Sequence, residues 1–139
     1  MQAGTVWRIQ APEQTNEAST QAVRRGDALR GHRDERIMEV CEGMVDICAA
    51  LFNVPSKELR QTGRNSAEVS RVRQIAMYVT HVSLGIAMHE VGRCFARDRT
   101  TVRHAVHLVE DLRDDPEFDR IVMTTERVAT AAFRTRLEA

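Results

Sequence analysis

Five stretches of this chain carry apolar residues at helical spacing, and together they predict an all-α fold. From about Asp34 to Phe52 the stripe is Ile37, Val40, Cys41, Met44, Val45, Cys48 and Leu51, a core helix ending near Asn53 and Pro55. Ser56 ahead of Lys57-Glu58-Leu59 predicts a short capped turn, and Arg60 to Ser70, with Gly63, Arg64 and Asn65, an exposed basic loop. Val72, Ile75, Ala76, Val79 and Val82 mark the next helix. Met88, Val91 and Phe95 follow Gly85, and Val102, Ala105, Val106, Val109 and Leu112 come after them. The last stripe is Phe118, Ile121, Val122, Thr125, Val128, Ala129 and Ala132, running on towards Leu137. It opens at Pro116, with Asp114 or Asp115 as its cap.

Only Ala96, Arg97, Asp98 and Arg99 separate the third stripe from the fourth. A link that short forces two packed helices to cross steeply, which is the helix-turn-helix arrangement. The start of the following helix gathers Arg97, Asp98, Arg99, Thr100, Thr101, Arg103 and His104 opposite its apolar face. A helix that reads DNA needs this division. Arginine donates twice to guanine O6 and N7, aspartate accepts from cytosine N4, and threonine offers a methyl to thymine or a hydroxyl to phosphate. For any single residue the plainer reading is better: Asp98 or Thr100 as a helix cap, the arginines as solvated charges. The clustering favours DNA, and one carboxylate can cap with one oxygen while the other faces a base.

The same residues resemble the C-terminal DNA-binding domain of the bacterial replication initiator DnaA. The resemblance rests on Arg71-Val72-Arg73-Gln74 running into Ile75-Ala76-Met77-Tyr78, on Glu90-Val91-Gly92, and on Phe95, Arg97-Asp98, Thr100-Thr101-Val102 and His104-Ala105. It extends by helical pattern to roughly residues 34–125. It implies a Trp-repressor-like helix-turn-helix bundle that binds double-stranded DNA. By the same resemblance Arg71 enters the minor groove, and Arg97, Asp98, Arg99 and Thr100 face bases in the major groove. Thr101, Arg73 and Gln74 hold the DNA backbone, and Arg64, Arg103 and His104 are added to the backbone set as neighbouring cations. Three positions depart from the family pattern. Arg99 stands where a histidine is usual, Ala96 alone where two glycines are common, and Ala87 near the usual serine cap of the second helix. A longer cation favours guanine over thymine, and a shorter turn tilts the helix.

Nothing in the chain matches the phosphate-binding G-x-x-x-x-G-K-[ST] pattern, and its only lysine, Lys57, has no glycine-rich loop before it. The expectation is therefore a DNA-reading module used alone, without ATPase or bound nucleotide: a transcription regulator, or else a competitor for initiator sites. A third reading is an interaction adaptor that has lost DNA specificity. RNA is disfavoured by the scarcity of aromatics to stack on bases. Catalysis is not expected. His89-Glu90 begins an H-E-x-x-H pattern, but position 93 is Arg, and His104 with His107 lacks a third ligand. No metal or cofactor is predicted, and Cys41, Cys48 and Cys94 are expected as buried free thiols.

At 139 residues the chain has room for one domain plus tails. The expected division is a disordered tail over 1–32, the helix-turn-helix domain over 33–125 and a helical extension over 126–139. Within the tail, Trp7 and Ile9 form a candidate docking motif, and Arg24, Arg25, Arg30 and Arg33 are candidate phosphate contacts. The extension is either a homodimer seam or a frayed end, since Ala and Thr pack weakly. A formal net charge of +0 hides segregation: from Lys57 to Arg103 nine basic residues face four acidic ones. Glu110, Asp111, Asp114, Asp115, Glu117 and Asp119 follow at once and should face away from phosphate. No apolar run approaches the ~18 residues that cross a membrane, and the N-terminus lacks a signal-peptide pattern. The expected location is the bacterial cytoplasm, on the nucleoid.

Overall fold

The computed structural model describes residues 17–61, 63 and 66–138. Six helices follow one another: α1 (Glu17–Phe52), α2 (Ser56–Arg60), α3 (Ala67–Val82), α4 (Met88–Cys94), α5 (Arg99–Leu112) and α6 (Pro116–Glu138). The chain divides into two compact units, Met1–Arg33 and Asp34–Ala139.

In the first unit the expected disorder over 1–32 gives way to helix from Glu17 onwards. Ala, Gln, Glu and Arg propagate a helix well, and Gly26 and Gly31, at about 1 kcal/mol each, do not stop it. This part has no apolar face to bury. Val23 and Leu29 are 60% and 69% exposed, and Arg30 pairs with Asp27 at 2.7 Å. Trp7 and Ile9 lie outside the described residues.

The second unit holds the core. Ile37, Val40, Cys41, Met44, Val45 and Cys48 of α1 are buried as the stripe predicts, whereas Leu51 stays 44% exposed. Asn53 ends α1 with φ 53°, a left-handed conformation that asparagine tolerates better than most residues. In α2 the cap differs from expectation. Pro55 occupies the N-cap with no side-chain bond, and Ser56, already helical, directs its hydroxyl to Asp46 at 3.5 Å. The basic loop is shorter than predicted, because Ser66 caps α3 by accepting from the Val69 amide at 3.2 Å.

Helix α3 is the axis of the unit, with Ile75 to Thr80 continuously buried and Val82 emerging at 47% exposure. Tyr78 ties its neighbours together. Its hydroxyl donates to Glu110 on α5 and accepts from Arg113 at 3.1 Å. Arg113 also lies over the Tyr78 ring and pairs with Asp119 and Glu126 of α6. Ser83 at the end of α3 donates to Glu126 at 2.6 Å. The second half of α6 does not leave the unit. Ala129 is fully buried, Phe133 and Leu137 pack against the core, and Arg136 pairs with Glu39 on α1 at 2.8 Å. Gly43 on α1 makes room for the Phe133 ring, which a Cβ there would meet at 2.4 Å.

Helices α4 and α5 are joined by Phe95, Ala96, Arg97 and Asp98. The turn folds back onto α4: the Arg97 amide donates to the Gly92 carbonyl at 2.8 Å, and a Cβ at Gly92 would lie 2.6 Å from the Arg97 carbonyl oxygen. That oxygen belongs to backbone held at both ends, so it cannot step aside as a side chain would. Gly92→Ala is expected to cost about 2 kcal/mol of stability through this overpacking. Urea unfolding checks it: the midpoint falls while the slope stays constant.

Candidate nucleic-acid interface

The strongest amphipathic division in the molecule is on α5. Val102, Ala105 and Val109 are buried, and Arg99, Thr100, Thr101, Arg103, His104 and His107 are exposed or nearly so. At about 100° per residue, Thr100, Arg103, His104 and His107 line the side opposite the core, with Arg99 and Thr101 on its two flanks. His107 extends the stripe by one turn beyond the residues expected from sequence. The side chains of Arg99, Arg103, His104 and His107 enter no hydrogen bond or ion pair among the described residues, leaving their donors available to an external partner.

Asp98 opens the helix. With φ −73° and ψ 164° it is the N-cap, and its Oδ1 accepts from the Thr101 amide at 2.7 Å. That bond to Thr101 holds its carboxyl below the usual range. The capping role weighed for Asp98 or Thr100 thus falls to Asp98. The Thr101 hydroxyl and the Thr100 amide act on the same carboxylate, which stands at the exposed start of the helix. Glu110, bonded to Tyr78, lies eleven residues past Arg99, which is ~16 Å along the axis. The acidic run therefore begins at the far end of α5.

The remaining predicted residues divide sharply. Arg71 is half-buried on α3 and donates to Gln74 Oε1 at 3.2 Å, so these two form a pair within one helix turn. Arg73 does not lie where it could grip a DNA backbone. It is 6% exposed, and its guanidinium donates to the carbonyls of Leu59 at 3.0 Å, Glu58 at 2.8 Å and Gln61 at 3.3 Å. Burial, and secondarily the Arg97 guanidinium, lower its pKa. Its five-donor fork suits the open carbonyl end of α2, whose place beneath α3 no side-chain pattern signals. Arg97 is half-buried and partly committed as well. It donates to the carbonyls of Gln61 at 2.9 Å, Ala96 at 3.2 Å and Phe95 at 3.4 Å. Arg64 lies outside the described residues.

Sequence reasoning missed Gln61, whose carbonyl receives both Arg73 and Arg97. No side-chain pattern could have signalled it, because the contact uses the backbone. It also missed the reason for Gly92, although the Glu90-Val91-Gly92 piece was noticed. Ala96 adopts φ 51°, a strained conformation for a residue with a Cβ.

Two helices crossing at a tight turn, the second with a capped, cation-rich and exposed first turn, define a helix-turn-helix protein. Comparison with known proteins agrees. The sequence model of the family described as "Bacterial dnaA protein helix-turn-helix" matches residues 41–109. The chromosomal replication initiator protein DnaA of Mesorhizobium japonicum is 40% identical over 72 residues, which is 51% of this chain and 14% of that protein. That of Rhodopseudomonas palustris strain HaA2 is 36% identical over 106 residues, 76% of this chain and 21% of that protein. Among solved structures, a replication initiator DnaA bound to AMPPCP and single-stranded DNA aligns with TM-score 0.58 and 26% identity, covering 78% of this chain and 31% of that one. A DNA replication initiation factor aligns with TM-score 0.64 at 24% identity over 84% of this chain and 36% of that one, a likeness of fold. The helix-turn-helix domain of this chain belongs to the DnaA C-terminal family. The chain spans about a fifth of the length of such relatives.

Two outcomes follow from this geometry. Arg73→Ala is expected to cost about 3 kcal/mol of stability, since the buried bond to the Leu59 carbonyl and the part-buried bonds to Glu58 and Gln61 are lost together. The salt dependence of DNA binding by the folded variant should stay unchanged, which a phosphate contact would not allow. The capping contribution of Asp98 has a defined sign with pH. Its folded pKa lies below the unfolded value, so the stabilisation is complete above the unfolded pKa and lost as pH falls through the folded one. Asp98→Ala should lower the thermal midpoint at neutral pH, and the gap from the parent should close in acid below the carboxylate range.

Proposed function

We propose that this protein binds double-stranded DNA sequence-specifically, with α5 in the major groove, and acts as a transcription regulator on the nucleoid. The observation that carries this reading is the exposed α5 stripe, in which Arg99, Arg103 and His104 have no partner among the described residues. Family membership supports it, because the domain to which the matched residues belong is a helix-turn-helix.

In this scheme Arg97, Asp98, Arg99 and Thr100 approach base edges, Arg71 reaches an adjacent minor groove, and Thr101, Arg103, His104, Gln74 and Arg64 meet phosphates. Arg97 and Arg71 must give up intramolecular bonds to do so, which makes Arg99 the strongest base reader of the set. Arg73 drops out of the backbone contacts and acts by holding α2 under α3. The seam expected for a homodimer is largely used within the chain, where Ala129, Phe133 and Leu137 pack inward. That supports a monomer on one asymmetric site, without the second half-site a dimer requires.

Selection of duplexes from a random pool at near-physiological salt tests the reading. An enriched motif supports specific recognition, and a motif related to the initiator's own sites favours competition with the initiator over dedicated regulation. Weak, uniform binding without enrichment overturns the proposal in favour of an adaptor. On the selected duplex, Arg99→Ala should change preference at one base position and cost about 1–3 kcal/mol there. Arg64→Ala should weaken all sequences alike and reduce the salt slope by about one. Equal losses on every sequence for Arg99→Ala remove it from the base-reading set.

A further inference from the structure

Outside the α5 stripe, three sulfur-bearing side chains converge. Met38 and Cys41 stand three residues apart on α1 and so share one helix face. Cys94 is the last residue of α4. The Cys94 thiol donates to Met38 Sδ at 3.5 Å, and Cys41 lines the same cavity beside them. The three side chains line a cavity of about 180 Å³, with Arg60 and Glu42 also on its wall. Cys41 is 2% exposed and Met38 40% exposed, so the cluster runs from the core to the surface.

We propose that Met38, Cys41 and Cys94 form a binding site for a soft monovalent d10 cation, Cu(I), held by two thiolates and one thioether. Thiolate and thioether donors select such an ion over borderline and hard ones. Among the described residues no group of three or more His, Cys, Asp or Glu is placed to hold a metal. Zn(II) therefore lacks the four-donor set it takes in structural sites, and the thioether supplies the third ligand that a soft ion accepts. Binding releases one proton from each thiol and leaves the copper oxidation state unchanged. The loaded centre carries one net negative charge. Arg60 on the cavity wall and Arg93 beside Cys94 offset it, against the opposing carboxylates of Glu42 and Glu90. Ordinary packing would also bury a methionine and two cysteines together; it gives no reason for a cavity that all three residues line.

The test is anaerobic titration of the full chain, kept reduced with a phosphine, with Cu(I) in competition with a chromophoric Cu(I) chelator. The expected result is one Cu(I) per chain, not displaced by equimolar Zn(II), with a rise in thermal midpoint on loading. Cys94→Ser should weaken binding at least as much as the roughly 10–100-fold that supporting groups in metal sites cost. Met38→Leu, a volume-conserving change at an exposed position, should keep the helical fold and weaken binding about 10-fold. Cys48→Ser should leave it unchanged, because Cys48 is not on the cavity. Failure to compete with the chelator, displacement by Zn(II), or parental affinity in either Cys94→Ser or Met38→Leu with unchanged helicity would overturn the assignment.

Discussion

The pose of the recognition helix depends on the close approach of the α4–α5 turn to Gly92. A turn of four residues leaves α5 little freedom, and the Arg97 amide bonded to the Gly92 carbonyl removes most of what remains. The absence of a Cβ at Gly92 admits the Arg97 carbonyl. On the other side of the turn, the Arg97 guanidinium reaches the Gln61 carbonyl, which also receives Arg73 from α3. Three elements thus meet through backbone carbonyls and two arginines: the end of α2, the middle of α3 and the turn. Hydrogen bonds of a charged donor to buried carbonyls are among the stronger ones. The turn is therefore held from two sides, by the Gly92 carbonyl on α4 and by the Gln61 carbonyl beyond α2.

This arrangement changes what the basic composition of the chain means. Between Lys57 and Arg103 the sequence carries nine basic residues against four acidic, and counting them alone overstates the positive surface. Arg73 is spent inside the fold and Arg97 is partly spent at the turn. The exposed cations left for a polyanion, among the described residues of that window, include Arg99 and Arg103 on the first two turns of α5, with Lys57 on α2 and Arg93 on α4. Acidic residues are gathered at the other end, where Glu110 and Asp119 already have intramolecular partners in Tyr78 and Arg113. A neutral chain can in this way present a strongly one-sided field.

Periodicity made most of the fold legible. Every stripe of apolar residues from Ile37 to Ala129 became a helix of the second unit, because burial of one face is the force that selects those helices. It failed where that force is absent. Glu17 to Arg33 has no stripe, and its helicity comes from backbone propensity and continuity with α1. The site was legible as far as its side chains point outward: Asp98, Arg99, Thr100, Thr101, Arg103 and His104 all stand on the exposed start of α5. Arg73 was misassigned because a buried and an exposed arginine look alike in sequence. What separates them here is the carbonyl end of α2 lying beneath α3, a tertiary fact.

The same reasoning bears on two of the three departures from the family pattern, Ala96 and Arg99, which act differently on α5. Ala96 at φ 51° carries strain of about 1–2 kcal/mol, and such strain persists only where surrounding contacts impose it. Those contacts are the Arg97 to Gly92 bond and the Arg97 to Gln61 bond on the next residue. The shortened turn is thus kept in one conformation at a cost, instead of gaining freedom from glycine, and it fixes the angle at which α5 meets a duplex. Arg99, by contrast, has no partner among the described residues, so its donors belong to the exposed surface of α5 alone. Pose and chemistry are thereby separable in this domain. A change at Ala96 would alter contacts along the whole helix together, and a change at Arg99 would alter one.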